Sequence, residues 1–534
     1  MLEQTFDYVI VGAGTAGCVL ANRLSEDPEV RVLLLEAGGR DTNPLISIPL
    51  GMGKMHEHNM HDWGYETEPE PQLNNRRLEA MRGKVLGGSS SINVMAYTRG
   101  HRNDYDNWAA NGAQGWGYED VLPYFRKSET WEGGADKFRG GEGPVGTQFA
   151  RTKDPIFDAW MTAGAQAGFP VTTDYNGTQQ EGFGRSQYTI KDGRRSSSSR
   201  AYLAPARHRR NLVVISRAHV LKVVMRGNRA VGVDYIKNGQ VHAQALKEVI
   251  LSAGAFNSPQ ILMLSGIGSP EELGAHQIKT VLDLPGVGKN LQDHLGTWIT
   301  WRRKSPGAFH GEMRFDRMAL SMIRAYLLGT GPGTTVPGGL HAFVKTNSAL
   351  QVPDIEYMFH TVPPQRKLWF PLISPPYQDG YAIRPTLLHP KSRGTIKLRS
   401  ANPQDSMRIS FGFFAHSEDL TGLRRGFRLA REIGNQSAMN SYRDIEVSPG
   451  PGVRSDDEID DYIRGTALTA HHPCGTCSIG DSELAVVDRN LKVRGAEGLR
   501  VVDASVMPTP VSAHPNACVF MIGERAAELV KQAA

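Results

Sequence analysis

The strongest constraint on the fold lies at the N-terminal end of the chain. Phe6-Asp7-Tyr8-Val9-Ile10-Val11 is a short apolar run rich in β-branched and aromatic residues, and Gly12-Ala13-Gly14-Thr15-Ala16-Gly17 follows at once. Such a run predicts a buried parallel strand. Cys18 to Leu24 then shows helical apolar spacing, and a second strand, Arg31 to Leu35, ends at Glu36, 19 residues beyond Gly17. Strand, glycine turn, helix, strand and terminal acid are the parts of a dinucleotide-binding unit. In such a unit Gly12 permits the tight turn, Gly14 lets a pyrophosphate approach the backbone, and Gly17 permits close helix–strand packing. Thr15 and Ala16 open a helix whose first N–H groups and partial positive charge face the phosphates. Glu36, followed by Ala37, is placed to accept hydrogen bonds from both ribose hydroxyls, which favours an unphosphorylated ribose. The pattern alone leaves NAD and FAD open.

Composition narrows the class by exclusion. In 534 residues, 40% are hydrophobic and 22% charged, too apolar for a disordered chain. No apolar run approaches the roughly 20 residues that span a bilayer. The net charge of +5 is small for this length and does not argue for nucleic acid. Four cysteines are too few for a disulfide scaffold. With no secretory leader evident, the expected location is cytoplasmic, with peripheral contact to the inner face of a membrane as a secondary expectation.

Further along, Gly87-Gly88-Ser89-Ser90-Ser91-Ile92-Asn93 leaves backbone with little side-chain bulk, suited to lying against a flat ring or a diphosphate. Short strands between Asn211 and Leu251 predict an antiparallel meander that feeds back to the parallel sheet. From about 300 to 470 the chain is richer in aromatics and proline breaks, which predicts a substrate-side sheet and its lids. Leu499 to Asp503 reads as another buried strand, and Ala517 to Lys531 as a helix.

Several of these segments together resemble the glucose–methanol–choline (GMC) oxidoreductases. Gly83-x-x-Leu86-Gly87-Gly88-Ser89-Ser90-x-Ile92-Asn93, with Tyr97 and Gly100, is similar to that family's first signature. Gly254-Ala255-x-x-Ser258-Pro259-x-Ile261-Leu262-x-x-Ser265-Gly266-Ile267-Gly268 is similar to its second. Leu284-Pro285-Gly286-Val287-Gly288-x-Asn290-Leu291-x-Asp293-His294, His472-Pro473 and Asp503-Ala504-Ser505-x-Met507-Pro508 also resemble it, in the family's order across almost the whole chain. The choline dehydrogenases and bacterial FAD-dependent alcohol dehydrogenases are the nearest branch.

The resemblance implies a mixed α/β fold. A Rossmann-like FAD-binding domain (1–155, 200–300 and 470–534) would be interwoven with a substrate domain (156–199 and 301–469) built on an antiparallel sheet with helices. It implies FAD rather than nicotinamide, and oxidation of a primary or secondary alcohol to aldehyde or ketone. Val85 and Asn93, Val94, Met95 and Ala96 would line the flavin and ribityl region, with Gly88 beside them. Val220 would meet adenine through its backbone, and Asp503, Ala504 and Asn516 would close the site. Some family members link flavin covalently through a histidine; Ile92 stands at that position here, so FAD is expected to be noncovalent.

Alcohol oxidation needs a proton acceptor near neutrality, and imidazole suits that task. Among 17 histidines, the resemblance selects His472, before Pro473, and His514 as its partner. His471 is expected to point to the opposite face and to be structural. A coupled imidazole pair leaves open which of the two is the base. Cys474-x-x-Cys477 lacks the further ligands of a zinc site, so no metal is expected. Met313 to Leu328 mixes apolar residues with arginines and is expected to be a lid over the substrate channel, with a membrane-resting helix as the weaker reading. Phe309, Tyr326, Phe343, Phe359, Trp369, Phe370 and Tyr377 make an aromatic or mixed-polarity pocket plausible. The expected electron acceptor is a quinone or other acceptor. The alternatives are an oxygen-using aryl or heteroaryl alcohol oxidase and, more distantly, a nonredox flavoprotein of the hydroxynitrile lyase type.

Overall fold

A computed structural model describes residues 4–533; the expected domain ends at 1–3 and 534 lie outside the described residues. Strand β1 (Gln4–Val11) and strand β2 (Val32–Glu36) pair in parallel, with helix α1 (Thr15–Leu24) between them. Every residue of β2 is buried, as expected of a strand covered on both faces. On the far side of β1 runs the long strand Gln240–Leu251, and Leu499–Val501 pairs with its end in parallel; Leu212–Ser216 flanks β2. The hairpin His219–Arg226 and Arg229–Ile236 joins antiparallel to the front half of 240–251. This first sheet therefore draws strands from both chain ends and from the middle, as the resemblance implied.

The second sheet is antiparallel, with its strands in the order 443–448, 299–303, 380–387, 355–360, 338–344 and 182–185. The short strand Leu295–Gly296 also pairs with it, against Leu387 and Thr469. That sheet thus takes in residues 295–300, which the expected boundary at 300 assigned to the other domain. Helix Asn516–Ala533 closes the molecule against α1, where a Cβ on Gly523 would come within 3.0 Å of Val19 Cβ.

Candidate active site

Between the two sheets lies one cavity of about 1400 Å³, lined at one end by Gly12, Glu36 and Val220 and at the other by His472 and His514. The first end is built as a phosphate cradle. Gly12 has φ +96°, and a Cβ there would lie 2.5 Å from Ser252 O. A Cβ on Gly17 would lie 1.9 Å from Gly12 O, so α1 can approach the turn only with glycine at this position. Gly14 precedes α1 without any side-chain cap, which leaves the first N–H groups of the helix open toward the cavity.

Glu36 is buried and accepts hydrogen bonds from Ala13 N (2.9 Å) and Gly38 N (2.8 Å). Burial raises its carboxyl to about 7 against those two bonds, so further donors on a bound ligand would be favourable. Ser252 Oγ is buried in the same wall without a partner. Thr15 Oγ1 donates to Asn516 Oδ1 (2.8 Å), tying the starts of two helices together at the cavity. Asp503 accepts from Gly254 N (2.9 Å), Ser258 Oγ (2.6 Å) and Ser505 N (2.8 Å), which fixes the backbone around the cradle. An open helix N-terminus, a glycine floor and a buried carboxyl group at the strand end fit an adenine dinucleotide.

At the other end stands a chain of imidazoles. His294 Nε2 lies 3.0 Å from Leu388 O, and His294 Nδ1 lies 2.9 Å from His472 Nδ1. His472 Nε2 lies 3.0 Å from His514 Nδ1, and His514 Nε2 lies 3.2 Å from Glu356 Oε1. That last approach is short enough for an ion pair yet off the axis of a hydrogen bond, so both atoms keep unused bonding capacity.

The turn that carries His472 is stapled in place. His472 N donates to Asp293 Oδ1 (2.8 Å), Thr469 Oγ1 donates to Asp293 Oδ2, and Arg82 Nη2 donates to His471 O (2.6 Å). His514 N donates to Thr98 Oγ1 (2.8 Å). Burial holds His472 well below the usual imidazole range, and the positive charges of Arg384 and Arg82 act in the same direction. Burial brings His294 down to about 3 and His341 to about 4, in both cases against the pull of Glu356. Glu356 goes the other way: burial raises it, but the facing imidazoles, His514 foremost, outweigh that and hold it below the usual carboxylate range.

Most of the expected site residues line this cavity: Gly12, Gly14, Thr15, Ala16, Glu36, Ala37, Gly88, Asn93, Val94, Ala96, Val220, Asp503, Ala504, Asn516, His472 and His514. Gly17, Val85 and Met95 do not. Gly17 packs on Gly12, Val85 is buried with Ile46, Met55 and Met81, and Met95 with Ala150 and Tyr188. His471 differs from expectation. It sits at φ +61°, in a turn rather than extended backbone, and so lines the same cavity as His472. Of the seven aromatics expected near substrate, only Phe309 and Phe359 reach the cavity.

Glu356, His341 and Arg384 were not anticipated; each stands in a mostly apolar strand, a signal that marks the residue as unusual without saying which face it takes. Cys18, Cys474, Cys477 and Cys518 are buried and free, and burial pushes the Cys474 and Cys477 thiols up.

Helix Phe315–Leu328 covers the cavity mouth: Met318 and Met322 line the interior, while Phe315, Leu320, Ile323, Tyr326, Leu327 and Leu328 are exposed. Phe370, Leu372 and Ile373 extend that apolar surface, with Phe370 6.3 Å from Phe315 between ring centroids. No described helix is long and apolar enough to cross a membrane.

A dinucleotide cradle opening on a buried imidazole chain defines an FAD-dependent oxidoreductase that acts on CH–OH donors. The family described as GMC oxidoreductase matches residues 6–296 with its N-terminal part and 390–523 with its C-terminal part. The chain is 42% identical over 526 residues to the oxygen-dependent choline dehydrogenase of Brucella anthropi, covering 98% of this chain and 95% of that protein. Among solved structures it is similar to pyridoxine 4-oxidase from Mesorbium loti, with TM-score 0.88, 31% identity and 98% of each chain covered. It is also similar to formate oxidase of Aspergillus oryzae, with TM-score 0.91 and 28% identity, covering 99% of this chain and 98% of that one. The chain belongs to the GMC oxidoreductase family.

Proposed function

We propose that His472 Nε2 is the base that takes the hydroxyl proton of an alcohol, and that His514 is the hydrogen-bonding partner that steadies the resulting alkoxide. The hydrogen-bond chain carries this reading. A carbonyl can only accept, so His294 Nε2 donates to Leu388 O, and neutral His294 offers its Nδ1 lone pair to His472. His472 Nδ1 therefore carries the proton and Nε2 the lone pair. His514 Nδ1 lies 3.0 Å from that lone pair, a contact the alcohol hydroxyl replaces when it binds, and His514 Nε2 faces Glu356 at 3.2 Å. Freed of that contact, an N–H of His514 is placed to donate to the oxygen on which negative charge develops.

When bound, FAD supplies the two-electron acceptor for the carbinol hydride. Gly12, Gly14, Thr15 and the open first turn of α1 would hold its diphosphate, and Glu36 its ribose. Ile92, an apolar residue in the cavity wall, offers no atom for a covalent link, which supports noncovalent binding. A quinone or another acceptor would take the electrons onward. Molecular oxygen is the second reading, supported by the likeness to the oxygen-dependent choline dehydrogenase of Brucella anthropi and to the oxidase neighbours.

The test is anaerobic mixing of the yellow holoprotein with a panel of primary and secondary alcohols. Bleaching of the flavin band by at least one alcohol is expected; no bleaching by any would sink the proposal. Admitting air, or a quinone, to the bleached protein then separates oxidase from dehydrogenase.

A further inference from the structure

We infer that His341 and Glu356 form a recognition subsite for a second hydrogen-bond donor, O–H or N–H, carried by the alcohol close to its reacting carbon. The inference rests on the reading of this cavity as the site of alcohol oxidation. Strands Gly338–Val344 and Ile355–His360 pair antiparallel with Phe343 opposite Glu356. His341, two residues from Phe343, therefore shares a face of the sheet with Glu356. Both side chains line the cavity, with His341 Nε2 3.6 Å from Glu356 Oε1. His341 is 3% exposed, Glu356 1% and His514 6%.

Despite that burial, both ring nitrogens of His341, Glu356 Oε1 and His514 Nε2 all lack a hydrogen-bond partner. A single buried polar atom left unpaired is costly, and folded proteins carry only a few such atoms per hundred residues. Four of them converging on one wall mark a place where the ligand supplies the partners.

The chemistry of these atoms fixes the kind of partner. An ionised carboxylate only accepts, and a neutral imidazole offers one donor and one acceptor. A group shared by Glu356 and His341 must therefore bring a proton to donate, as a hydroxyl or a protonated amine does and a trimethylammonium group does not. Because Glu356 Oε1 is only 3.2 Å from His514 Nε2, that group lies near the reacting carbon. The His341 ring is held for the purpose, edge-on to Tyr175 (centroids 5.9 Å) and stacked with Phe343 (6.4 Å).

His341, Glu356 and His514 could also be drawn together around a divalent ion, since one ligand atom from each lies within 4.8 Å of the others. Arg384 disfavours this, because its guanidinium, with an unpartnered Nε, brings positive charge into the same cavity.

The experiment measures anaerobic flavin reduction by the holoprotein with matched alcohols: 1-propanol against 1,3-propanediol and 3-amino-1-propanol, and benzyl against 2-hydroxybenzyl alcohol, with choline as a cation lacking a donor. Donor-bearing members are expected to exceed their plain counterparts at least about tenfold in kcat/KM. His341→Leu and the near-isosteric Glu356→Gln should each bring that ratio close to one, with flavin content and melting temperature confirming the fold. If plain alcohols or choline match the donor-bearing ones in the parent, or if neither variant moves the ratio, the subsite falls while the alcohol-oxidation reading stands. If no alcohol bleaches the flavin, both fall. One zinc per chain after dialysis against chelator, lost in His341→Leu, would also overturn the subsite in favour of a metal site.

Discussion

Removing His294 isolates the step that makes His472 a base. His294→Leu deletes the acceptor 2.9 Å from His472 Nδ1 and the donor 3.0 Å from Leu388 O. Two buried polar groups are then left unpaired, at about 1–3 kcal/mol each, so folding stability should fall by about 2–6 kcal/mol. The effect on rate is separate. Without that acceptor, nothing holds the His472 proton on Nδ1, and the competent tautomer loses about 1–3 kcal/mol of preference, which is roughly 5- to 160-fold in rate. Anaerobic rapid mixing reads this directly as the limiting rate of flavin bleaching at saturating alcohol. His294→Asn, whose side-chain oxygen can accept from His472, should recover most of the loss. A His294→Leu holoprotein that keeps its flavin and bleaches within twofold of the parent rate would refute the tautomer chain.

Three further outcomes are expected. Gly17→Ala would place a methyl group 1.9 Å from Gly12 O, so α1 must back away from the turn; the variant should purify with little flavin, checked by the ratio of flavin to protein absorbance. Glu36 has its carboxyl raised by burial to about 7, so the folded, flavin-free protein binds this proton more tightly than the unfolded chain. Its stability should therefore decline as pH rises from about 4.5 to 7, by up to roughly 3 kcal/mol, and thermal melts of flavin-free Glu36→Gln should lose most of that slope. The exposed face of helix Phe315–Leu328 carries Arg317 and Arg324 among its apolar residues, so the protein should sediment with anionic vesicles at low salt. Leu320→Asp with Ile323→Asp should abolish that sedimentation, and failure of the parent to sediment would end the idea.

The cradle was legible in sequence because its physics is local. A buried strand, three glycines at fixed offsets and an acid at the end of the next strand each act within about thirty residues, and all keep their spacing whatever the rest of the chain does. The imidazole chain was only half legible. His472 and His514 were indicated by resemblance, and Asp293-His294 stood inside a quoted motif without a role, since its partners come from Leu388 and the 469–472 turn. Glu356 and His341 were missed because these largely buried strands show no polar–apolar alternation to mark which residues face a cavity. His471 was misplaced for a different reason: its left-handed φ is set by the tertiary stapling of the turn, and extended geometry was the wrong local assumption.

The decisive measurement is the anaerobic reduction rate of His472→Ala holoprotein beside that of the parent. With His472 as the base, the variant should bind flavin normally yet bleach with an alcohol on the order of 10²- to 10⁴-fold more slowly. In the parent, the rate should stay level above neutral pH and fall as acid protonates the depressed imidazole. A variant that bleaches as fast as the parent would show that the proton goes elsewhere.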